Sequence, residues 1–351
     1  MRSALRSDSL LEMSPYLLRG DRMRRREFIA GLLVAAPLQC ARAQQPAKVR
    51  RIAVVTVATP IAQVTETSSL PFHQAFFHEL RRFGYIEGRN LIVERYPVER
   101  SAVELARDVV RSKPDLIFAI SNSRVRLLKP LTATIPIIGL MRDPVGLGLV
   151  ASLGHPGGNI TGVTDAGPEV ETKRLGLLKE AFPQAYRVGV LSTRPPGRSP
   201  YEEQQQDAAQ RLGLLLLAPR LAGTVQEAEY RRMFEAMAQE HADSVIVSAE
   251  VENLVHRRLI VELAEKNRLP AIYPFRQYVQ GGGLIAYAVD QVELWTRVAG
   301  CIAQILNGAA PGDTPIYQAT KFDLIINLKA ANAIGLAITP ALLARADEII
   351  E

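Results

Sequence analysis

From Arg51 onward the chain alternates short β-branched and apolar runs with amphipathic segments of helical period. That alternation restricts it to βαβ units winding a parallel sheet, with helices covering both faces. Arg51 to Val57 reads as a first strand. Leu70 to Phe83 reads as a helix with Phe72, Ala75, Phe76, Leu80 and Phe83 on one face, stopped by Gly84. Strands at Leu91 to Arg95, Leu116 to Ile120 and Ile137 to Leu140 follow, with a helix at Ala102 to Arg111 and another opened by Ser121-Asn122-Ser123, whose side-chain oxygens can accept its first N–H groups.

After a glycine-rich passage around Gly157 and Gly162 the alternation resumes. Helices are expected at Glu169 to Phe182, Glu202 to Leu212, Val225 to Glu240, Glu252 to Asn267 and Gln291 to Asn307. Strands are expected at Arg187 to Ser192, Leu214 to Ala218, Ser244 to Ser248, Ala271 to Tyr273, Leu284 to Val289 and Phe322 to Leu328, with helices closing the chain. The second half repeats the architecture of the first without repeating its sequence. The fold class is therefore α/β, two doubly wound parallel-sheet lobes joined by a hinge. Open sheets of this kind take ligands beyond the carboxyl ends of their strands, so two of them predict a cleft.

Composition agrees with a folded protein: 351 residues, 48% hydrophobic and 22% charged. The net charge of +6 is concentrated at the front, where residues 1–43 hold eight arginines and four acids. The remainder has 34 basic against 32 acidic residues, too balanced to argue for nucleic acid. Arg24-Arg25-Arg26 followed by an apolar stretch from Phe28 to Leu38 and by Ala41-Arg42-Ala43 reads as a signal peptide cleaved before Gln44. The paired arginines also resemble a twin-arginine signal, so either the Sec or the twin-arginine route fits. Residues 1–22 read as an extension upstream of a second start at Met23. No later stretch approaches the roughly 20 apolar residues of a membrane span.

Catalytic signatures are missing from the sequence. It has no G-x-S-x-G elbow, no H-E-x-x-H, no C-x-x-C and no G-x-x-x-x-G-K-[ST]. The scattered histidines give no metal spacing, and they read as core or solvated groups. Gly146-Leu147-Gly148-Leu149-Val150-Ala151 matches a dinucleotide fingerprint formally, but it follows Asp143-Pro144 late in the lobe, and a helix packing close to the sheet is the simpler expectation. Cys301 reads as a lone buried thiol. No cofactor is expected.

The stretch from Asp143 through Gly146, Gly148, Gly154, Gly157, Gly158 and Gly162 to Thr164 resembles the ABC transporter substrate-binding proteins that include tryptophan- and phenylalanine-type receptors. Gly84-Tyr85-Ile86-Glu87-Gly88-Arg89-Asn90, Lys321 to Ala331 and Leu342 to Glu348 carry the same likeness. The sequence departs from that pattern at Ala288, where a glycine is common, and at His155, where arginine is usual. The resemblance implies a type I periplasmic-binding-protein-like fold. It also implies a periplasmic receptor that passes a small-molecule solute, an amino acid or small carboxylate, to an ABC permease and its separate ATPase subunit. A monomer is expected. A sensor subunit of the same fold and a secreted α/β enzyme are the alternatives.

On this reading residues 48–162 with 290–318 form an N-lobe, and 163–289 with 319–351 a C-lobe. Candidate ligand contacts lie at strand ends. Ser121, Asn122 and Ser123 offer hydroxyls and exposed N–H groups to an anion, or simply cap a helix. Thr59 and Asp143 occupy equivalent rims, and Asp143 caps a helix equally well. In the second lobe Glu250, Phe275 and Arg276 stand at strand ends, where an aromatic ring beside a guanidinium can grip an acidic or aromatic solute, unless Arg276 pairs with a neighbouring acid. Tyr287 and Asp290 lie at one crossing and Thr164 at the other, with ligand contact or hinge hydrogen bonding as their two readings.

Overall fold

The computed structural model describes residues 49–56, 63–96, 101–165, 167–193, 200–219, 221–222 and 225–351. The expected signal peptide and Thr59 lie outside the described residues. The first sheet is built from β1 (Arg50–Thr56), β2 (Leu91–Tyr96), β3 (Leu116–Ile120), β4 (Ile137–Met141), β5 (Ile160–Thr164) and β11 (Tyr317–Gln318), in the order β2-β1-β3-β4-β5-β11, with every pair parallel. The inner strands β1, β3 and β4 are apolar on both faces because both faces are covered, whereas the edge strand β2 alternates, and the period of two sorts the side chains. Ile52, Val54, Leu116 and Phe118 join a core with Phe76 and Leu80 of α1 (Pro71–Arg82) and Trp295 and Val298 of α10 (Gln291–Leu306). Ala53, Val55, Ile117 and Ala119 pack on the other side against Leu105 and Val109 of α2 (Ala102–Arg111) and Val125 and Leu128 of α3 (Asn122–Leu128).

The first of these cores is rich in rings. Phe76 stacks on Phe118 with centroids 5.5 Å apart, and Trp295 meets Phe72, His73, Phe76 and Phe118 within 5.8 Å. His73 is buried there, its Nδ1 lying 2.8 Å from the Gln63 carbonyl and 3.0 Å from Ser68 Oγ. Phe83 departs from the expected apolar face, because the helix ends before it and its ring is 43% exposed.

The second sheet uses β6 (Arg187–Leu191), β7 (Leu215–Leu217), β8 (Ser244–Val247), β9 (Ala271–Tyr273), β10 (Ile285–Val289), β12 (Phe322–Asn327) and β13 (Glu348–Ile350), in the order β7-β6-β8-β9-β10-β12-β13. Only β10 and β12 pair antiparallel among these. Val245, Val247 and Tyr273 face Tyr230, Met233 and Met237 of α6 (Glu227–Gln239) and Ile260 and Leu263 of α8 (Arg257–Lys266). Val188, Ile246 and Ile272 face Leu175 and Leu178 of α4 (Gly167–Ala181) and Ala208 and Ala209 of α5 (Pro200–Arg211). The chain passes from the first sheet to the second after β5, returns through α10, and passes over again after β11.

Several expectations need correction. The segment from Pro144 to Gly158 forms turns and no helix, because Asp143, Gly148, Gly157 and Gly158 all take positive φ and break any helical run. The helix expected at 252–267 is two, α7 (Val251–Val255) and α8, interrupted at His256. The glycine-rich passage conceals β5, where Gly162 serves close approach: a Cβ there would stand 2.0 Å from the Gly139 carbonyl oxygen of β4. β11, β13 and the short helix α9 (Arg276–Gln280) also have no counterpart in the sequence reading. Cys301 is a free, buried thiol as expected, and burial pushes its pKa up to about 12.

Candidate functional site

In the first sheet, β1 and β3 are adjacent while the chain continues outward on opposite sides of them, which opens a crevice beyond their carboxyl ends. Ser121 follows β3 directly at φ 138°, and its hydroxyl accepts a hydrogen bond from the Arg124 N–H at 3.3 Å, capping α3. Ser123 Oγ lies 2.9 Å from Ser121 Oγ and is exposed. Asn122 is committed elsewhere: its Nδ2 donates to the Arg142 carbonyl at 2.8 Å and its Oδ1 accepts from the Arg142 N–H at 2.9 Å, locking β4 to α3. Arg124 folds back over β1, where its Nε donates to the Thr56 carbonyl at 3.1 Å and its side chain is only 5% exposed.

The second sheet has the equivalent break between β6 and β8. Its loop is tied by Asn253, which is buried. Asn253 Nδ2 donates to the Ser248 carbonyl and to Glu250 Oε2, both at 3.1 Å, and its Oδ1 accepts from the Tyr230 hydroxyl at 2.9 Å. Glu250 also accepts from the Ser248 hydroxyl and from the Thr193 N–H. One helical step further on α7, half-buried Glu252 lies within electrostatic reach of Arg124. Burial raises the Glu252 pKa and Glu250 adds to the rise, while Arg124 opposes it. Burial in turn lowers the Arg124 pKa, with Glu252 pulling it back.

At the crossings an ion network joins the two sheets. Arg142, at the end of β4, pairs with Asp165 and reaches Glu171 of α4 at 3.5 Å; Arg174 meets Glu171 at 3.1 Å and donates from Nε to the Tyr287 carbonyl at 3.0 Å. Burial would raise the Asp165 pKa, but Arg142, Arg174 and the Gly167 N–H together hold it below its ordinary value. Thr164 is buried beside this network, with no hydrogen-bond partner for its hydroxyl.

The remaining sequence candidates are scattered. Asp143 turns to the Gly146 N–H at 3.0 Å and caps a turn, since the helix expected after it does not form. Phe275 is packed into the core, and Arg276 pairs with Asp323 at 3.1 Å and with Glu348. Asp290 caps α10 through the Glu293 N–H at 3.1 Å and binds Lys321 at 3.0 Å; these contacts outweigh burial and lower its pKa. Tyr287 stacks on Phe322 at 5.4 Å and lines a cavity of about 440 Å³ with Glu169, Lys173, Gln318 and Thr320, beside the crossings. Sequence reasoning missed Arg124, Glu252 and Asn253, and it missed the Arg142–Asp165–Glu171–Arg174 network. Among the described residues no group of three or more metal-ligating side chains converges, and no helix is long and apolar enough to cross a membrane.

Two doubly wound α/β halves, joined by three crossings and each broken at a strand-end crevice, define a protein of the type I periplasmic-binding architecture. The chain belongs to the ABC transporter substrate binding protein family, whose sequence model matches residues 52–350. It is 26% identical over 288 residues to the tyrosine-binding protein of Clostridioides difficile (strain R20291), a match spanning 79% of this chain and 80% of that protein. A conserved domain protein from Vibrio cholerae superposes with a TM-score of 0.75 at 26% identity, over 86% of this chain and 100% of that one. The ABC domain in complex with L-Trp from Streptococcus pneumonia superposes with a TM-score of 0.73 at 22% identity, over 86% and 99%. The chain is thus an extracytoplasmic solute receptor whose partners are a small molecule and an ABC permease, and its family is a substrate-binding one rather than a family of enzymes.

Proposed function

We propose that this receptor captures a free amino acid, or a small carboxylate related to one, in the crevice between the carboxyl ends of β1 and β3 and those of β6 and β8. The observation that carries this is the buried Arg124 at the first crevice, bonded only to the Thr56 carbonyl among the described residues, with Glu252 on the helix after β8 at the second. The tyrosine-binding relative and the L-Trp complex support the amino-acid class. The first sheet with its helices acts as one lobe and the second sheet with its helices as the other, and the boundary falls after β5 rather than at 162/163, because Val163 and Thr164 pair with β4 and β11. They close on the solute about the crossing segments, and binding selects the closed population.

In that arrangement the Ser121 and Ser123 hydroxyls and Glu250 border the ligand, and Asn122 holds the wall in place through Arg142. Asp143, Thr164, Tyr287 and Asp290 act at the rim and hinge. Phe275 and Arg276 support the second lobe through the core and through Asp323 and Glu348. The receptor works as a monomer in the periplasm after export by the Sec or twin-arginine route. It performs no covalent chemistry, and a separate ATPase subunit energises the permease it serves.

Isothermal titration and thermal-shift measurements with the twenty amino acids, their des-amino acids and a set of sugars test the reading. A cognate amino acid at a hundredfold excess over Kd adds about 2.7 kcal/mol of stability. Stabilisation by sugars with no response to any amino acid or carboxylate would refute it.

A further inference from the structure

Arg124 and Glu252 carry charges that no direct ion pair among the described residues neutralises. Among the described residues the Arg124 side chain makes one hydrogen bond, to the Thr56 carbonyl, and no carboxylate lies within 4 Å of its guanidinium. A guanidinium taken out of water without a close counter-ion is costly, and an arriving anion relieves that cost. Among the described residues Glu252 likewise makes no ion pair and no hydrogen bond to another side chain. Among the described residues the two charges form no ion pair with each other. One belongs to the helix after β3 and the other to the helix after β8, so they sit at the break in strand order of each sheet.

We infer that Arg124 and Glu252 are the two poles of a zwitterion site, the guanidinium taking the carboxylate of a free amino acid and Glu252 taking its ammonium group. This rests on the amino-acid reading above and narrows it. A planar guanidinium offers two parallel N–H donors to a carboxylate. A ligand lacking the carboxylate leaves Arg124 buried and unpaired, and a ligand lacking the amine faces the Glu252 carboxylate with nothing to neutralise it. A dicarboxylate is repelled by Glu252, and an uncharged sugar desolvates both poles without compensation. Because the poles belong to opposite sheets, only a ligand bearing both charges draws the two together.

The test titrates the parent, Arg124→Met, Arg124→Lys and Glu252→Gln with L-tyrosine and L-tryptophan, then with the matching des-amino acids and with tyramine and tryptamine. The expected result has four parts. The parent binds at least one of the two amino acids; Arg124→Met weakens it about 100-fold or more while Arg124→Lys recovers part of the loss; Glu252→Gln weakens it about tenfold or more; and the residual affinity for the des-amino acid is not weakened by Glu252→Gln. Half-buried Glu252, which holds no other side chain, carries the test if Arg124→Met does not fold. If the parent binds an amino acid and Glu252→Gln binds it within threefold, the zwitterion pair is wrong while the receptor reading stands. If the parent binds neither these two nor any other amino acid, both the pair and the amino-acid reading fall.

Discussion

Glu171 gives the sharpest handle on what joins the two halves. It is 1% exposed, Arg174 is 3% exposed at 3.1 Å, and Arg142 reaches the same carboxylate oxygen at 3.5 Å. Glu171→Ala leaves two arginines crowded around Asp165 in a water-poor site, and removing one partner of a buried pair costs about 3–5 kcal/mol. With an unfolding entropy of about 2.1 cal/mol/K per residue over roughly 300 residues, the melting temperature should fall by about 5–8 °C. Replacing both ions, as in the double variant Glu171→Leu with Arg174→Met, should restore most of that, to within about 2 kcal/mol of the parent, because no charge is left stranded. Thermal unfolding at pH 7, followed by circular dichroism, measures both variants. A loss below about 1 kcal/mol for the single variant, or a double variant worse than the single, would show that the network is not held by mutual neutralisation.

Three further outcomes follow from the same structure. The folded-state pKa of His73 lies near 4, chiefly through burial and despite its bond to the Gln63 carbonyl, against 6.5 when unfolded. Its share of stability is therefore complete above pH 6.5 and is lost as the pH falls toward 4, about 3 kcal/mol in all; His73→Gln should flatten that limb of a urea-stability profile, and an unchanged slope would contradict the burial argument. Asp165, whose folded pKa is depressed by Arg142, Arg174 and Gly167, contributes stability above its unfolded value near 3.8 that disappears as the pH drops through its folded value; the gap between parent and Asp165→Asn should be widest at neutral pH and vanish in strong acid. Gly157→Ala, at φ 68° with its nearest neighbour 3.9 Å away, should cost about 1–2 kcal/mol, whereas Gly162→Ala must displace the Gly139 carbonyl and should cost several times more or prevent folding; equal melting points would sink the close-approach account.

The strands that read correctly from sequence, such as β1 and β3, are buried on both faces, and their unbroken apolar runs announce it. β5 escaped because Thr161, Gly162 and Thr164 interrupt its hydrophobicity; the threonine at 161 satisfies itself on the Thr314 carbonyl 153 residues away, a pairing no local window contains. The turns from Pro144 to Gly158 were hidden by a run, Leu147 to Ala151, whose composition suits a helix while Gly148 within it and Gly157 and Gly158 beyond it take positive φ. Arg124 shows why the site was harder than the fold. An arginine two residues into a helix reads as solvated surface, and only the Thr56 carbonyl, 68 residues earlier, reveals that it is buried. Arg276 illustrates the converse: the sequence leaves open a ligand grip or an acid pair, and its partners Asp323 and Glu348 stand 47 and 72 residues downstream.

Hydrogen exchange measured with and without a bound amino acid tests the central claim most directly. Capture between two opposed strand-end crevices predicts simultaneous slowing in the segment 121–124 and in the segment 248–253, with the outer edge strands β2 and β7 unchanged. Protection confined to one of those segments, or appearing only around the cavity lined by Tyr287 and Phe322, would contradict it.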